Sequence, residues 1–204
     1  MDNIPSKKII WAQILLIFVL PIFLLYFKIV PSNWRIILLV LSSLFIYGII
    51  RHEHWSYEEM GIRHDNIKRA LPFYLLLIVI GLLSLFIIDS KINLPDIDTK
   101  IFFIKTFIFF LPISFFQEFI FRSFLIPRLR KLFNNNYSII FLNTILFVFM
   151  HIIYSNWIII LPLLFVSGIL FAWIYLKHPN LILISITHSV LNLTAMLLGF
   201  FILS

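Results

Sequence analysis

Long apolar stretches dominate the chain and leave only short polar segments between them. Seven are recognised, at residues 9–27, 34–50, 71–88, 101–125, 137–154, 157–177 and 181–203. An α-helix needs roughly 20 such residues to cross a hydrocarbon core of about 30 Å. The stretches lack the alternation of apolar and polar residues that a membrane β-barrel requires. The predicted fold is therefore all-α, a polytopic transmembrane helical bundle of about seven spans.

The composition supports this fold and narrows the possible chemistry. Of the 204 residues, 62% are hydrophobic and 12% charged, and the mean hydropathy is +1.06, far above that of a soluble domain. The chain contains no cysteine, which excludes a disulfide framework, a thiolate nucleophile and a Cys-ligated metal. No internal repeat is visible, so residues 1–204 are predicted to form a single domain.

The distribution of Lys and Arg predicts the orientation in the membrane. Outside the apolar stretches or at their ends, ten lie on the side of the N-terminus and four on the other side, and these four are Lys28, Arg35, Lys91 and Lys100. Because positive charge stays in the cytoplasm, the N-terminus is predicted to be cytoplasmic and the C-terminus to lie outside. The net charge of +7 is accordingly interpreted as a topology signal and as contact with the lipid bilayer, and no nucleic-acid partner is expected.

Two ionisable residues lie close together in the second half of the fourth stretch, in the sequence FFQEFIFRSF at 115–124. Glu118 is the only one of the nine acidic residues that falls well inside a stretch, and a charged group at membrane depth costs several kcal/mol unless it is paired or hydrated. Arg122 follows four residues later on the same helix face, in the order that favours an ion pair. The pair is either a structural salt bridge or part of a functional site.

Polar residues with helical spacing also mark two later stretches. The sequence FVFMH places His151 four residues after Phe147, and Asn143 lies one further turn back on that face. The sequence HSVLN places Asn192 four residues after His188. Because lipid rejects polar groups, we expect these side chains and those of the fourth stretch to meet in one cavity inside the bundle.

Such a set of side chains favours amide hydrolysis. A carboxylate and an imidazole can activate water, while a second imidazole and an Asn amide can stabilise a developing oxyanion. The main alternative is a metal site, since two His and one Glu can bind zinc, although no His-Glu-x-x-His pair is present. A serine hydrolase would need a Gly-x-Ser-x-Gly turn, which the sequence lacks. A proton-relaying transporter would need inverted repeats and more than the five Gly present here.

The motifs QEFIFR at 117–122, FVFMH at 147–151 and HSVLN at 188–192 occur in the order of those of a known family. They resemble the Glu-Glu-x-x-x-Arg, Phe-x-x-x-His and His-x-x-x-Asn motifs of the CAAX protease and bacteriocin-processing family of intramembrane endopeptidases, also called CPBP or Abi. The resemblance covers about residues 58–195, and its first part, EEMGIRHDNIKRAL at 58–71, is similar to the amphipathic lead-in of many bacterial members.

This resemblance implies a protease of a bacterial cytoplasmic membrane. Its substrate would be a membrane-associated peptide or protein, prenylated or carrying a leader peptide, and no cofactor or metal is implied. The family roles carry over to matching positions as follows. His188 would help to activate water, His151 and Asn192 would donate hydrogen bonds to the oxyanion, and Arg122 would hold Glu118. The oligomeric state is not implied.

The sequence departs from the family pattern at one position, where Gln117 replaces the first glutamate of the first motif. A carboxamide can hold a water molecule but cannot accept its proton at neutral pH. Glu118, turned by about 100° around the helix, could act instead only if the bundle aims it at the same water. The alternative is a catalytically impaired member that acts as a membrane scaffold or regulatory partner. A third interpretation is that Gln117 was introduced deliberately to trap an inactive form.

Overall fold

A computed structural model describes residues 5–88, 104–154 and 157–198, and every regular element in these ranges is helical. Seven helices follow one another there: α1 Lys7–Tyr26, α2 Ser32–His52, α3 Ile67–Ile88, α4 Thr106–Leu132, α5 Asn136–Ile153, α6 Trp157–Lys177 and α7 Leu181–Leu197. The first six are long and apolar enough to cross a membrane, and α7 is a shorter apolar helix. The predicted all-α transmembrane bundle is therefore confirmed.

The ends of the helices follow the turn-forming residues of the sequence wherever both are described. The side chain of Asn135 accepts a hydrogen bond from the backbone N–H of Ser138 at 2.7 Å, and that of Asn180 accepts one from Leu183 N–H at 3.0 Å. Each therefore caps the helix that it precedes, as Asn does at N-terminal caps. The predicted breaks at 89–100 and at 155–156, with Lys91 and Lys100, and the end of the last span beyond residue 198 lie outside the described residues.

Helix α4 ends later than predicted, at Leu132 rather than at residue 125. Its last turns contain Arg128, which the sequence placed in a loop but which is fully buried. The guanidinium donates two hydrogen bonds to the carboxylate of Glu53, at 2.9 and 2.7 Å. It also lies over the rings of Trp55 and Phe124, at 5.1 and 4.8 Å from their centroids. This pairing satisfies the charge, so the helix can continue past it.

The segment between α2 and α3 folds against the turn between α6 and α7. The carbonyl of Gly61 accepts a hydrogen bond from the backbone N–H of Leu181 at 2.7 Å, and Gly61 has a φ of 75°. The amide of Asn180 donates to the carbonyl of Arg63 at 2.9 Å and to the side chain of Asn66 at 2.8 Å. These bonds fix the start of α7, the helix that carries the third motif.

A π-helical stretch, Phe119–Leu125, interrupts α4 immediately after Glu118. Such turns shift the hydrogen-bond register by one residue and occur often at functional sites. Here the carbonyl of Phe121 accepts a hydrogen bond from the side-chain amide of Asn143 at 2.8 Å. Asn143 is fully buried, so this bond ties α5 to α4 at the level of the first motif.

Candidate active site

A cavity of about 490 Å³ lies among α1, α2, α4, α5 and α7. Its walls are mostly aliphatic and aromatic side chains. The polar and charged residues that line it are Arg35, Ser42, Gln117, His151, Tyr154 and Asn192. Apolar walls with a few polar groups are typical of a site that binds a ligand.

One residue from each of the three motifs faces this cavity. Gln117 comes from α4, His151 from the last turn of α5 and Asn192 from the middle of α7. Gln117 is largely buried, and its side-chain oxygen has no hydrogen-bond partner among the described residues. The amide of Asn192 makes one long hydrogen bond, 3.5 Å to the hydroxyl of Ser114. Both amides can therefore turn toward a bound molecule at little cost.

Glu118 and His188 are not among the residues that line this cavity in the described part of the chain. They pair with each other, since Nδ1 of His188 lies 2.6 Å from Oε1 of Glu118. The other carboxylate oxygen lies 3.3 Å from Nε of Arg122, and Glu118 and Arg122 are both fully buried. The sequence prediction that Glu118 and Arg122 form an ion pair agrees with this geometry.

The guanidinium of Arg122 is enclosed by aromatic rings. Its central carbon lies 5.0 Å from the ring centroid of Phe147, 5.6 Å from that of Phe171 and 5.8 Å from that of Phe121. Phe147 also contacts both histidines, with ring centroids 4.9 Å from His151 and 5.8 Å from His188. The phenylalanine of the second motif thus stabilises a buried cation and separates the two imidazoles.

The hydrogen bonds of the two histidines determine their tautomers. Nδ1 of His151 lies 2.8 Å from the carbonyl oxygen of Phe147, and a carbonyl can only accept. Nδ1 therefore carries the hydrogen, and Nε2 carries the lone pair when the ring is neutral. The same argument places a hydrogen on Nδ1 of His188, toward Glu118. A neutral His151 offers an acceptor at Nε2, which suits the binding of water better than the donation of a hydrogen bond to an oxyanion.

Glu118 and His151 lie at similar distances from the ends of their helices once the observed end of α4 is used. Glu118 lies fourteen residues before Leu132, about 21 Å along the helix, and His151 lies fifteen residues after Asn136, about 22 Å. With the end predicted at residue 125, Glu118 would have been only about 10 Å deep.

The cavity lies toward the end of the bundle where α2 starts and α5 ends. It is lined by the second half of α1, the first half of α2 and the start of α4. This is the end opposite to Lys7 and Lys8. A cytoplasmic N-terminus would therefore place the cavity in the outer half of the bundle.

Two lining residues were not recognised from the sequence as parts of a site. Arg35 was counted only as a topology signal, and Tyr154 was assigned to the end of a span. The ring of Tyr154 stacks on that of His151, with centroids 5.9 Å apart. Their spacing of three residues in the 3₁₀ turn Met150–Ile153 and its C-terminal flank brings the two rings together. In the described residues, no three His, Asp or Glu side chains converge in a group that could hold a metal.

The comparisons with known proteins found a similarity to one family model. Residues 99–194 match the family model described as type II CAAX prenyl endopeptidase Rce1-like. The matched range contains all three motifs and starts after the first three helices. Neither the search among curated proteins nor the comparison with solved structures found a match.

Proposed function

We propose that this membrane protein, whose residues 99–194 match the type II CAAX prenyl endopeptidase model, binds a membrane-associated peptide in its cavity but hydrolyses it slowly. The observation that carries this proposal is the orientation of two adjacent side chains. Gln117 lines the cavity, whereas Glu118 is paired behind it with His188 and Arg122.

The residues at the cavity can perform most steps of amide hydrolysis. Nε2 of His151 can accept a hydrogen bond from water, and the amide of Gln117 can hold the same water. The amide of Asn192 can donate a hydrogen bond to the carbonyl oxygen as negative charge develops there. The apolar walls can take up a prenyl chain or aliphatic side chains and exclude other water.

What this arrangement lacks is a carboxylate that can take the proton of the water. Glu118 is held by a hydrogen bond of 2.6 Å and by an ion pair, and its removal from that pair would leave Arg122 buried without a counter-charge. No Asp or Glu is found among the lining residues of the described chain. The proposal is therefore a family member that retains the binding site and has lost most of the rate of the chemical step.

Binding and hydrolysis can be tested separately. A fluorescent peptide that carries a farnesylated cysteine, followed by three aliphatic residues, is titrated with the purified protein in nanodiscs. We expect saturable binding by the wild type. Ile113→Trp, which fills the cavity, should abolish binding, whereas Ile108→Trp, at an exposed position of the same helix, should not. Equal binding by both variants would show that the peptide does not occupy this cavity.

A second candidate function is an active peptidase that uses His151 alone as its base. It is favoured by the hydrogen bond from His151 Nδ1 to the Phe147 carbonyl, which places the lone pair on Nε2. A library of membrane-anchored peptides, incubated with wild type and Gln117→Glu, distinguishes the two. Cleavage by the wild type at the rate of the variant would favour this second candidate.

A further inference from the structure

Arg35 is the only charged side chain that lines the cavity within the described part of the chain. It is partly buried, in the first residue of the α-helix Arg35–His52. Among the described residues, none forms an ion pair with it, and its guanidinium makes no hydrogen bond to any of them. The cavity therefore contains one positive charge that no residue in the described part of the chain neutralises.

This position is not explained by the stability of the helix. The N-terminus of an α-helix carries a partial positive charge, so that a cation in the first turn is unfavourable. The fully buried cations Arg122 and Arg128 each have a carboxylate partner and aromatic rings around them. Arg35 differs from both, because no carboxylate among the described residues pairs with it.

The neighbours of Arg35 connect it to the site of the proposed chemistry. Arg35 and Tyr154 line the same cavity. The ring of Tyr154 in turn stacks on that of His151. The polar residues of the lining therefore include, besides the motif residues, Tyr154 and the positively charged Arg35 at the start of α2.

We propose that Arg35 binds the anionic end of the ligand, the C-terminal carboxylate of a peptide whose scissile bond lies beside Gln117, His151 and Asn192. The inference rests on the function proposed above and adds a determinant of specificity to it. A guanidinium forms paired hydrogen bonds with a carboxylate, and it does so more strongly at a partly desolvated site. The chain would then select peptides by their free C-terminus. The apolar walls would hold the peptide residues between the scissile bond and the C-terminal carboxylate.

The same chemistry could be supplied by a lipid phosphate, and the experiment separates the two sources. The farnesylated peptide is prepared with a free C-terminal carboxylate and as the C-terminal amide. Both are titrated against wild type, Arg35→Gln and Arg35→Lys in nanodiscs of phosphatidylcholine. The matched control is Lys28→Gln, since Lys28 is an exposed cation at the same end of the bundle and is not part of the cavity lining.

We expect the amide to bind wild type about 10- to 100-fold more weakly than the carboxylate, the range of a hydrogen-bonded charge. Arg35→Gln should bind both peptides equally, Arg35→Lys should keep part of the preference, and Lys28→Gln should keep all of it. Equal binding of the two peptides by wild type would overturn the inference and leave the proposed function intact. If neither peptide binds to wild type, both the inference and the proposed function are overturned.

Binding of a lipid phosphate by Arg35 would give a different result, which native mass spectrometry can detect. Nanodiscs that contain phosphatidylglycerol are used to prepare wild type and Arg35→Gln for native mass spectrometry. Phosphatidylglycerol retained by wild type but not by Arg35→Gln, together with equal binding of the two peptides, would assign Arg35 to a lipid phosphate and overturn the peptide assignment.

Discussion

Nδ1 of His188 and Oε1 of Glu118 lie 2.6 Å apart, and both side chains are buried. This bond joins the third motif to the first across α7 and α4. Together with the ion pair to Arg122, it commits Glu118 to holding the bundle together. The neighbouring Gln117 is left as the side chain of the first motif that meets the cavity. The function of the site therefore depends on position 117, and the stability of the fold depends on position 118.

Glu118→Gln should destabilise the protein. The amide can still accept the hydrogen bond from His188, but Arg122 is left as a buried cation without its anion, which costs about 3–5 kcal/mol. Thermal unfolding in detergent micelles measures the loss. The double variant Glu118→Gln/Arg122→Met removes both charges and should recover much of the stability. A double variant as unstable as the single one would contradict the assignment of this cost to the charge of Arg122.

Gly61→Ala should also destabilise the fold, because Gly61 has a φ of 75° and a Cβ there would collide with the hydroxyl of Tyr175. A side chain in this backbone region costs about 1–3 kcal/mol. Gly48→Ala is the control, since a Cβ at Gly48 meets nothing within 4 Å and the helix should gain up to about 1 kcal/mol. Similar unfolding temperatures for the two variants would mean that the contact between Gly61 and Tyr175 of α6 is not tight.

The ion pair between Glu53 and Arg128 should make stability depend on pH. Burial raises the pKa of Glu53, but the hydrogen bonds and charge of Arg128, with a further bond from Trp55, outweigh this and hold that pKa below its usual range. A lowered folded-state pKa contributes stability above the unfolded value of about 4.3, and that contribution is lost as the pH falls through the folded value.

Unfolding temperatures measured from pH 7 down to about pH 2 test this effect, because the loss occurs below the unfolded pKa of about 4.3. Glu53→Gln should be less stable than wild type at pH 7, and the difference should narrow as the pH falls. Glu58→Gln, at an exposed position, should follow the wild-type curve. A constant difference between Glu53→Gln and wild type over this range would show that the charge of Glu53 does not contribute.

The orientation can be measured directly because the chain has no cysteine. Lys8→Cys and Lys28→Cys place single thiols at exposed positions on opposite ends of α1. In intact bacterial cells, a membrane-impermeant maleimide should label Lys28→Cys and should label Lys8→Cys only after permeabilisation. This result would place the cavity in the outer half of the membrane. The reverse pattern would make the N-terminus external and the cavity cytoplasmic.

The sequence predicts well what depends on local pattern. Apolar length predicts the helices, and Asn135 and Asn180 mark the starts of two of them correctly. Prediction from the sequence fails where the position of a side chain depends on a partner that is distant in the chain. Arg128 reads as a loop cation because its partner, Glu53, lies 75 residues earlier. Which of Gln117 and Glu118 faces the cavity depends on a rotation of about 100°, which only the packing of the bundle determines.

The sequence did not identify Arg35 as a cavity residue for a related reason. A basic residue beside an apolar stretch is an ordinary topology signal, and nothing in the local sequence distinguishes one that lines a cavity. The unfavourable position of a cation in the first turn of a helix is the only local sign that it serves another purpose.

The central claim, that position 117 limits hydrolysis, is tested most directly by the single-turnover cleavage rates of wild type and Gln117→Glu on one farnesylated peptide. A carboxylate at this position supplies the missing base, and general-base catalysis typically contributes 10²–10⁴-fold. We expect a rate increase in that range, lost again in Gln117→Glu/His151→Gln. Equal rates for wild type and Gln117→Glu would contradict the claim that Gln117 disables the site.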